Sequence, residues 1–175
     1  LYTVLLSFAT GGERWHKSFR TGFKKVEIQG NRLLLNGQRL VIRGVNRHDY
    51  DPDTGWTLTG DQYRQDIAIM KRLNINALRT SHYPNDPMLY QICDEYGILG
   101  MDEADLESHG ARHILPGSDP AWTAACVDRM ERMVLRDRNH PCVFFWSLGN
   151  EAGSGNNFAA MRKAAEALDT TRSFH

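Results

Sequence analysis

The sequence predicts an α/β fold, a parallel sheet made of four strand-then-helix units that follows a stretch of short β-strands. Three observations carry this expectation. From Arg39 onward, short apolar runs alternate with amphipathic helical stretches. Most of those helical stretches open on a capping signal. Polar residues gather just past the end of each apolar run.

The elements follow in order. Tyr2–Phe8 and Trp15–Arg20 read as strands joined at a Gly11-Gly12 turn. Phe23–Ile28 and Leu33–Leu35 read as two more, with Asn36-Gly37 as a tight-turn signal. The strand cores of the repeating part are Leu40–Ile42 with Gly44-Val45, then Ile75–Leu78, Gly97–Met101 and Val143–Trp146. Thr59-Gly-Asp-Gln62 is a capping box for a helix running to about Leu73. Asp86-Pro87 and Asp119-Pro120 each place an acidic cap before a first-turn proline. In the third helix Trp122, Cys126, Met130 and Met133 share a face; in the fourth, Phe158, Met161, Ala165 and Leu168 do. Both stripes read as core packing.

Four such units form a doubly wound sheet or half of an eight-stranded barrel. A fifth strand is expected to begin where the chain stops, at His175. The chain therefore reads as truncated, and a half-barrel would leave open sheet edges through which copies could form a homo-oligomer.

Composition narrows the function classes. The 175 residues are 41 % hydrophobic and 24 % charged, and 21 basic side chains cancel 21 acidic ones. That balance gives no support for a nucleic-acid or membrane partner. No apolar stretch approaches the roughly 20 residues of a membrane span. Cys93, Cys126 and Cys142 fit neither a metal motif nor a disulfide framework. They read as buried, reduced thiols, which leans toward a cytoplasmic setting.

The chemistry sits at the strand ends. The four apolar runs lead into Asn46–Asp49, Arg79–His82, Asp102–His109 and Asn150-Glu151. Four polar clusters in phase indicate a shared functional rim, which is where a barrel assembles its active site. Glu151, at the mouth of an apolar strand, is the candidate general acid, since desolvation there would raise its pKa; a capping or salt-bridged glutamate is the alternative. Glu107 and His109, in an acidic loop, could hold a divalent ion, most plausibly Mg²⁺ with retained waters; a solvated acidic loop is the alternative. His48 and His82 could contact sugar hydroxyls or buttress the rim. His16, His113, His140 and His175 have no constellation around them.

Seven motifs in order now resemble glycoside hydrolase family 2. They are Arg43-Gly-Val-Asn-Arg-His48, Ser81-His-Tyr-Pro-Asn85, Cys93-Asp94, Asp102-Glu-Ala104, Glu107-Ser-His-Gly110, Arg136-Asp-Arg-Asn-His-Pro141 and Trp146-Ser-Leu-Gly-Asn-Glu151. The wording resembles the β-galactosidase branch more than the glucuronidases or mannosidases.

The resemblance implies the first half of a (β/α)8 TIM barrel over residues 26–175. Residues 1–25 would be short β-strands ending an immunoglobulin-like sandwich. It implies a retaining hydrolase of terminal β-D-galactosides, in which two carboxyls stand about 5–5.5 Å apart across the scissile bond. Glu151 takes the acid/base role, Asn150 the sugar's 2-hydroxyl, and His48 and His82 the galactose subsite. Glu107, His109 and Glu151 would coordinate Mg²⁺. The family's nucleophilic glutamate lies on a later strand, so this chain should be inert alone. The alternatives are a sister β-glucuronidase or β-mannosidase, and a non-catalytic carbohydrate-binding fragment. Asp105, Ser108 and Ala152-Gly-Ser154 depart from the family's usual wording, and Ser154 puts a loop histidine's contact in doubt.

Overall fold

A computed structural model describes residues 1–175. β1 (Tyr2–Thr10) and β2 (Glu13–Thr21) form an antiparallel ribbon that is a sheet of its own. Gly11 and Gly12, at φ +57° and +84°, supply the left-handed turn that matches strand twist. β3 (Val26–Gln29), β4 (Arg32–Leu35) and β5 (Gln38–Arg39) form a second antiparallel sheet, with Asn36 and Gly37 at positive φ in its tight turn.

The third sheet is parallel. Its strands are β6 (Gly44–Arg47), β7 (Ala77–Thr80), β8 (Leu99–Glu103), β9 (Val143–Ser147) and β10 (Ser173–Phe174). Between them run α1 (Gly60–Arg72), α2 (Pro87–Tyr96), α3 (Thr123–Asp137) and α4 (Asn156–Leu168). The strands lie side by side in chain order. A doubly wound sheet would reverse that order at a switch point, so the arrangement is that of a partial barrel. The fifth strand has already begun at Ser173, pairing Phe145.

The main core lies between the sheet and its helices, around Ile67, Leu89, Ile92, Met130, Trp146 and Met161. Burying each is worth about 1.5–3 kcal/mol. A smaller cluster joins Ala77, Leu99 and Phe144 to Val26, Leu33 and Leu35 of the second sheet. All three cysteines are buried and unbridged. No helix is long and apolar enough to cross a membrane.

Caps fall where the sequence placed them for α1 and α2, through Thr59 with Gln62 and through Asp86. Three expectations are corrected. Leu40–Ile42 is not a barrel strand: ladder pairing begins at Gly44 with Ala77, and the Asn76 side-chain amide bonds Arg43 N and Val41 O instead. Asp119-Pro120 opens a short 3-10 turn, Pro120–Trp122, and α3 starts at Thr123. That offset turns Trp122 outward, 41 % exposed, while Cys126, Met130 and Met133 stay inside.

Asp169, just past α4, ties the helix layer to β9. It accepts from Trp146 Nε1 at 2.9 Å and pairs with Arg172 at 2.6 Å. Burial alone would raise this carboxyl, but the Thr171 hydroxyl and amide and the Arg172 guanidinium outweigh it and bring the pKa to about 2. A lowered carboxylate contributes stability above its unfolded pKa and loses it as pH falls toward the folded one. Asp169→Asn should therefore cost about 2 kcal/mol at neutral pH. In urea titrations the gap from wild type should narrow between about pH 4 and about pH 2; a gap constant with pH would disprove the assignment.

Candidate active site at the strand ends

Alternation along a strand sends neighbouring side chains to opposite faces, and at the end of β8 it separates two acids that are adjacent in sequence. Asp102 goes to the helix side, where it is fully buried and accepts from the Tyr90 hydroxyl. Burial, reinforced by nearby Asp137, pushes its carboxyl well above the usual range. Asp102 is thus a structural acid behind the sheet, not part of the rim.

Glu103 goes to the other face and is also fully buried. Its Oε2 accepts from Arg79 Nε at 2.6 Å and from the Ser147 hydroxyl, and its Oε1 faces His82 Nδ1 at 2.6 Å. These partners end β7 and β9, so three adjacent strands converge on one carboxylate. Ser147 Oγ also lies 3.1 Å from His175 Nδ1.

Past β9 the chain turns sharply. Gly149, at φ +148°, passes so close to Leu106 that an added Cβ would sit 2.4 Å from its carbonyl oxygen, which excludes any other residue. That approach sets Asn150 beside Glu107, with Asn150 N donating to Leu106 O at 2.9 Å. The Asn150 side chain accepts from Arg79 Nη2 at 2.8 Å and donates to Glu107 at 3.1 Å. Glu151 follows at φ +42°, a left-handed conformation that is strained for a residue with a Cβ. Its carboxylate lies 2.6 Å from His109 Nδ1 and the side chain is 46 % exposed. The desolvation expected of Glu151 is therefore absent in this chain.

The first polar cluster divides by the same alternation. Arg47 and Asp49 are buried and paired, with Arg47 also bonding Asp66 and Tyr63 donating to Asp49. They brace the loop. His48 stands 5.6 Å, ring centre to ring centre, from His82 and 6.0 Å from Tyr83, whose ring lies 5.0 Å from that of Trp56.

The structure thus joins Asn150, Glu107, His109 and Glu151 in one group and His48 with His82 in another, and the two are linked through Arg79 and Glu103. Sequence reasoning missed Glu103 as the link, along with Arg79 as its partner. It also gave His140 and His175 no partners, whereas His140 Nδ1 meets Asp94 at 2.6 Å and His175 meets Ser147. Asp105 leaves the group for Arg129.

The metal-capable atoms of Glu107, His109 and Glu151 lie within 4.8 Å of one another, and all three residues are exposed. Two hard carboxylates, one imidazole and open access for water fit Mg²⁺, which keeps part of its hydration shell.

Residues 26–175 match the model of the glycosyl hydrolases family 2 TIM barrel domain. The chain is 46 % identical over 178 residues to a β-galactosidase of Pectobacterium atrosepticum, covering 100 % of this chain and 17 % of that protein. It is 50 % identical over 157 residues to one from Vibrio cholerae, covering 89 % and 15 %. Among solved structures it resembles a Ruminococcus gnavus β-glucuronidase bound to C6-substituted uronic isofagomine, with a TM-score of 0.85 and 28 % identity. That likeness covers 99 % of this chain and 31 % of the other.

Proposed function

Because the chain belongs to glycoside hydrolase family 2, through that family's TIM barrel domain, we propose that it is the acid/base half-site of a retaining β-galactosidase. It spans about a sixth of the length of the β-galactosidases it matches (15–17 %), so this reading concerns the protein that carries it. The observation that carries the proposal is the Asn150-Glu151 pair at the end of β9, held against Glu107 and His109.

In this reading Glu151 donates its proton to the departing glycosidic oxygen as a second carboxylate, supplied from elsewhere in the protein, attacks the anomeric carbon. Glu151 then takes a proton from the water that releases the sugar. Asn150, aligned by Arg79, holds a sugar hydroxyl whose hydrogen bond strengthens as the oxocarbenium-like state develops. His48 and His82 line the opposite side of the sugar. Glu107, His109 and Glu151 would hold Mg²⁺, whose positive charge would favour the ionised form of the acid/base group. Three buried thiols suit a reducing compartment, and we place the protein in the cytoplasm on that ground.

A β-glucuronidase is the second reading, favoured by the solved structures the chain resembles. The test is a nitrophenyl glycoside panel on the full-length protein, alongside the isolated 175-residue chain. We expect turnover of the β-galactoside by the full-length protein and none by the isolated chain. Preference for the glucuronide would replace the substrate assignment. Turnover by the isolated chain would show that both carboxyls lie within it, and the half-site reading would fall.

A further inference from the structure

The polar groups around the cleft converge on Glu103, whose side chain is 0 % exposed. An ionised carboxylate so placed is costly unless both oxygens are paired, and both are. Oε2 takes Arg79 and Ser147, and Oε1 takes His82. The far side of Arg79 holds Asn150 Oδ1, and the Asn150 amide nitrogen holds Glu107. A guanidinium only donates and a carboxylate only accepts, so the two faces of the Asn150 amide cannot be exchanged.

We infer that Glu103 is a positioning residue for sugar recognition: it holds the proton of His82 on Nδ1 and aligns Arg79 against Asn150. This rests on the glycosidase reading above. A carboxylate can only accept, so the ring nitrogen facing it carries hydrogen. In the neutral imidazole Nε2 is then an acceptor, suited to a hydroxyl that donates. Arg79, gripped at Nε, presents Nη2 to Asn150 in a fixed direction. One buried group thereby sets the donor and acceptor pattern on both sides of the sugar.

Replacing Glu103 by Gln keeps the shape and breaks that pattern. The amide has one accepting and one donating end. If the donating end faces His82, the ring must move its proton to Nε2 and offer sugar a donor where an acceptor stood. If it faces Arg79 and Ser147, the Ser147 hydroxyl can turn to accept but the guanidinium can only donate, so donor opposes donor at Arg79 and the alignment of Asn150 is lost.

The test uses the full-length protein with nitrophenyl β-galactoside and its monodeoxy analogues. Glu103→Gln should lower kcat/KM by about 10–100-fold, the usual cost of losing a group that orients site residues. The loss should shrink on at least one monodeoxy analogue, because a missing hydroxyl no longer uses the misplaced partner. Glu103→Asp, which still accepts at both oxygens, should recover part of the rate. An equal loss on every analogue, with no recovery in Glu103→Asp, would show general structural damage and overturn the proposal. Neutron diffraction from wild-type crystals gives a check independent of any variant's folding: deuterium on His82 Nδ1 is expected, and deuterium on Nε2 alone overturns it. A wild type that hydrolyses no β-galactoside would overturn the substrate reading instead, and the His82 proton position would then decide for Glu103.

Discussion

On the proposed β-galactosidase reading, Glu151→Gln in the full-length protein should lower hydrolysis of lactose, a β-galactoside with a sugar leaving group, by about 10²–10⁴-fold, the range that general acid catalysis supplies. The loss should depend on the leaving group. A departing sugar alkoxide needs a proton, whereas a dinitrophenolate does not. With the dinitrophenyl substrate, formation of the glycosyl-enzyme should survive, and its hydrolysis, which needs Glu151 as base, should become limiting. A burst followed by slow turnover is the expected trace. The same variant should bind Mg²⁺ more weakly in calorimetric titration, since Glu151 contributes one of the three clustered donors. An unchanged rate on lactose would remove Glu151 from the acid role. Equal losses on both substrates, with no burst, would mean that it acts on something other than the proton of the leaving group.

Arg47→Ala should destabilise the folded chain by about 3–5 kcal/mol, the cost of leaving a buried charge without its partner. Arg47 packs over the Tyr63 ring at 5.0 Å and pairs with Asp49 and Asp66. Asp49 is itself buried, and it anchors the loops after β6 and β7 by accepting from Tyr63 and from Asp86 N. Without the guanidinium the Asp49 carboxylate keeps two neutral donors and no counter-charge. Urea unfolding gives the measurement, as a lower midpoint at unchanged slope. A double variant, Arg47→Met with Asp49→Asn, should recover much of the loss, because it removes both charges together. If Arg47→Ala costs under about 1 kcal/mol, the pair is solvated in solution and behaves like a surface ion pair.

Much of the architecture is legible in the chain. Helical and strand periods differ, caps are local, and Asn36-Gly37 can hardly do anything but turn, so element types follow from neighbours a few residues apart. The same locality explains the misses. Leu40–Ile42 is as apolar as a strand, but a strand exists only where its partner's register allows, and Ala77 meets Gly44. Trp122 lost its place on the buried face because a 3-10 turn shifted the phase of α3.

The candidate site divides in the same way. Glu107, His109, Asn150 and Glu151 were legible as a chemical set, since carboxylates, imidazole and amide gathered at strand ends are rarely idle. Sequence alone determined the rhythm of the fold, the gathering of polar residues at the strand ends, and the family motifs. Only the tertiary structure decided that Asp102 is a buried structural acid while Glu103, one residue on, links the two halves of the site. It also decided that Arg47 and Asp49 brace what His48 presents. The reason is physical: a strand's period of two sends adjacent residues to opposite faces. Which face becomes the cleft depends on the strands alongside, not on the residues themselves.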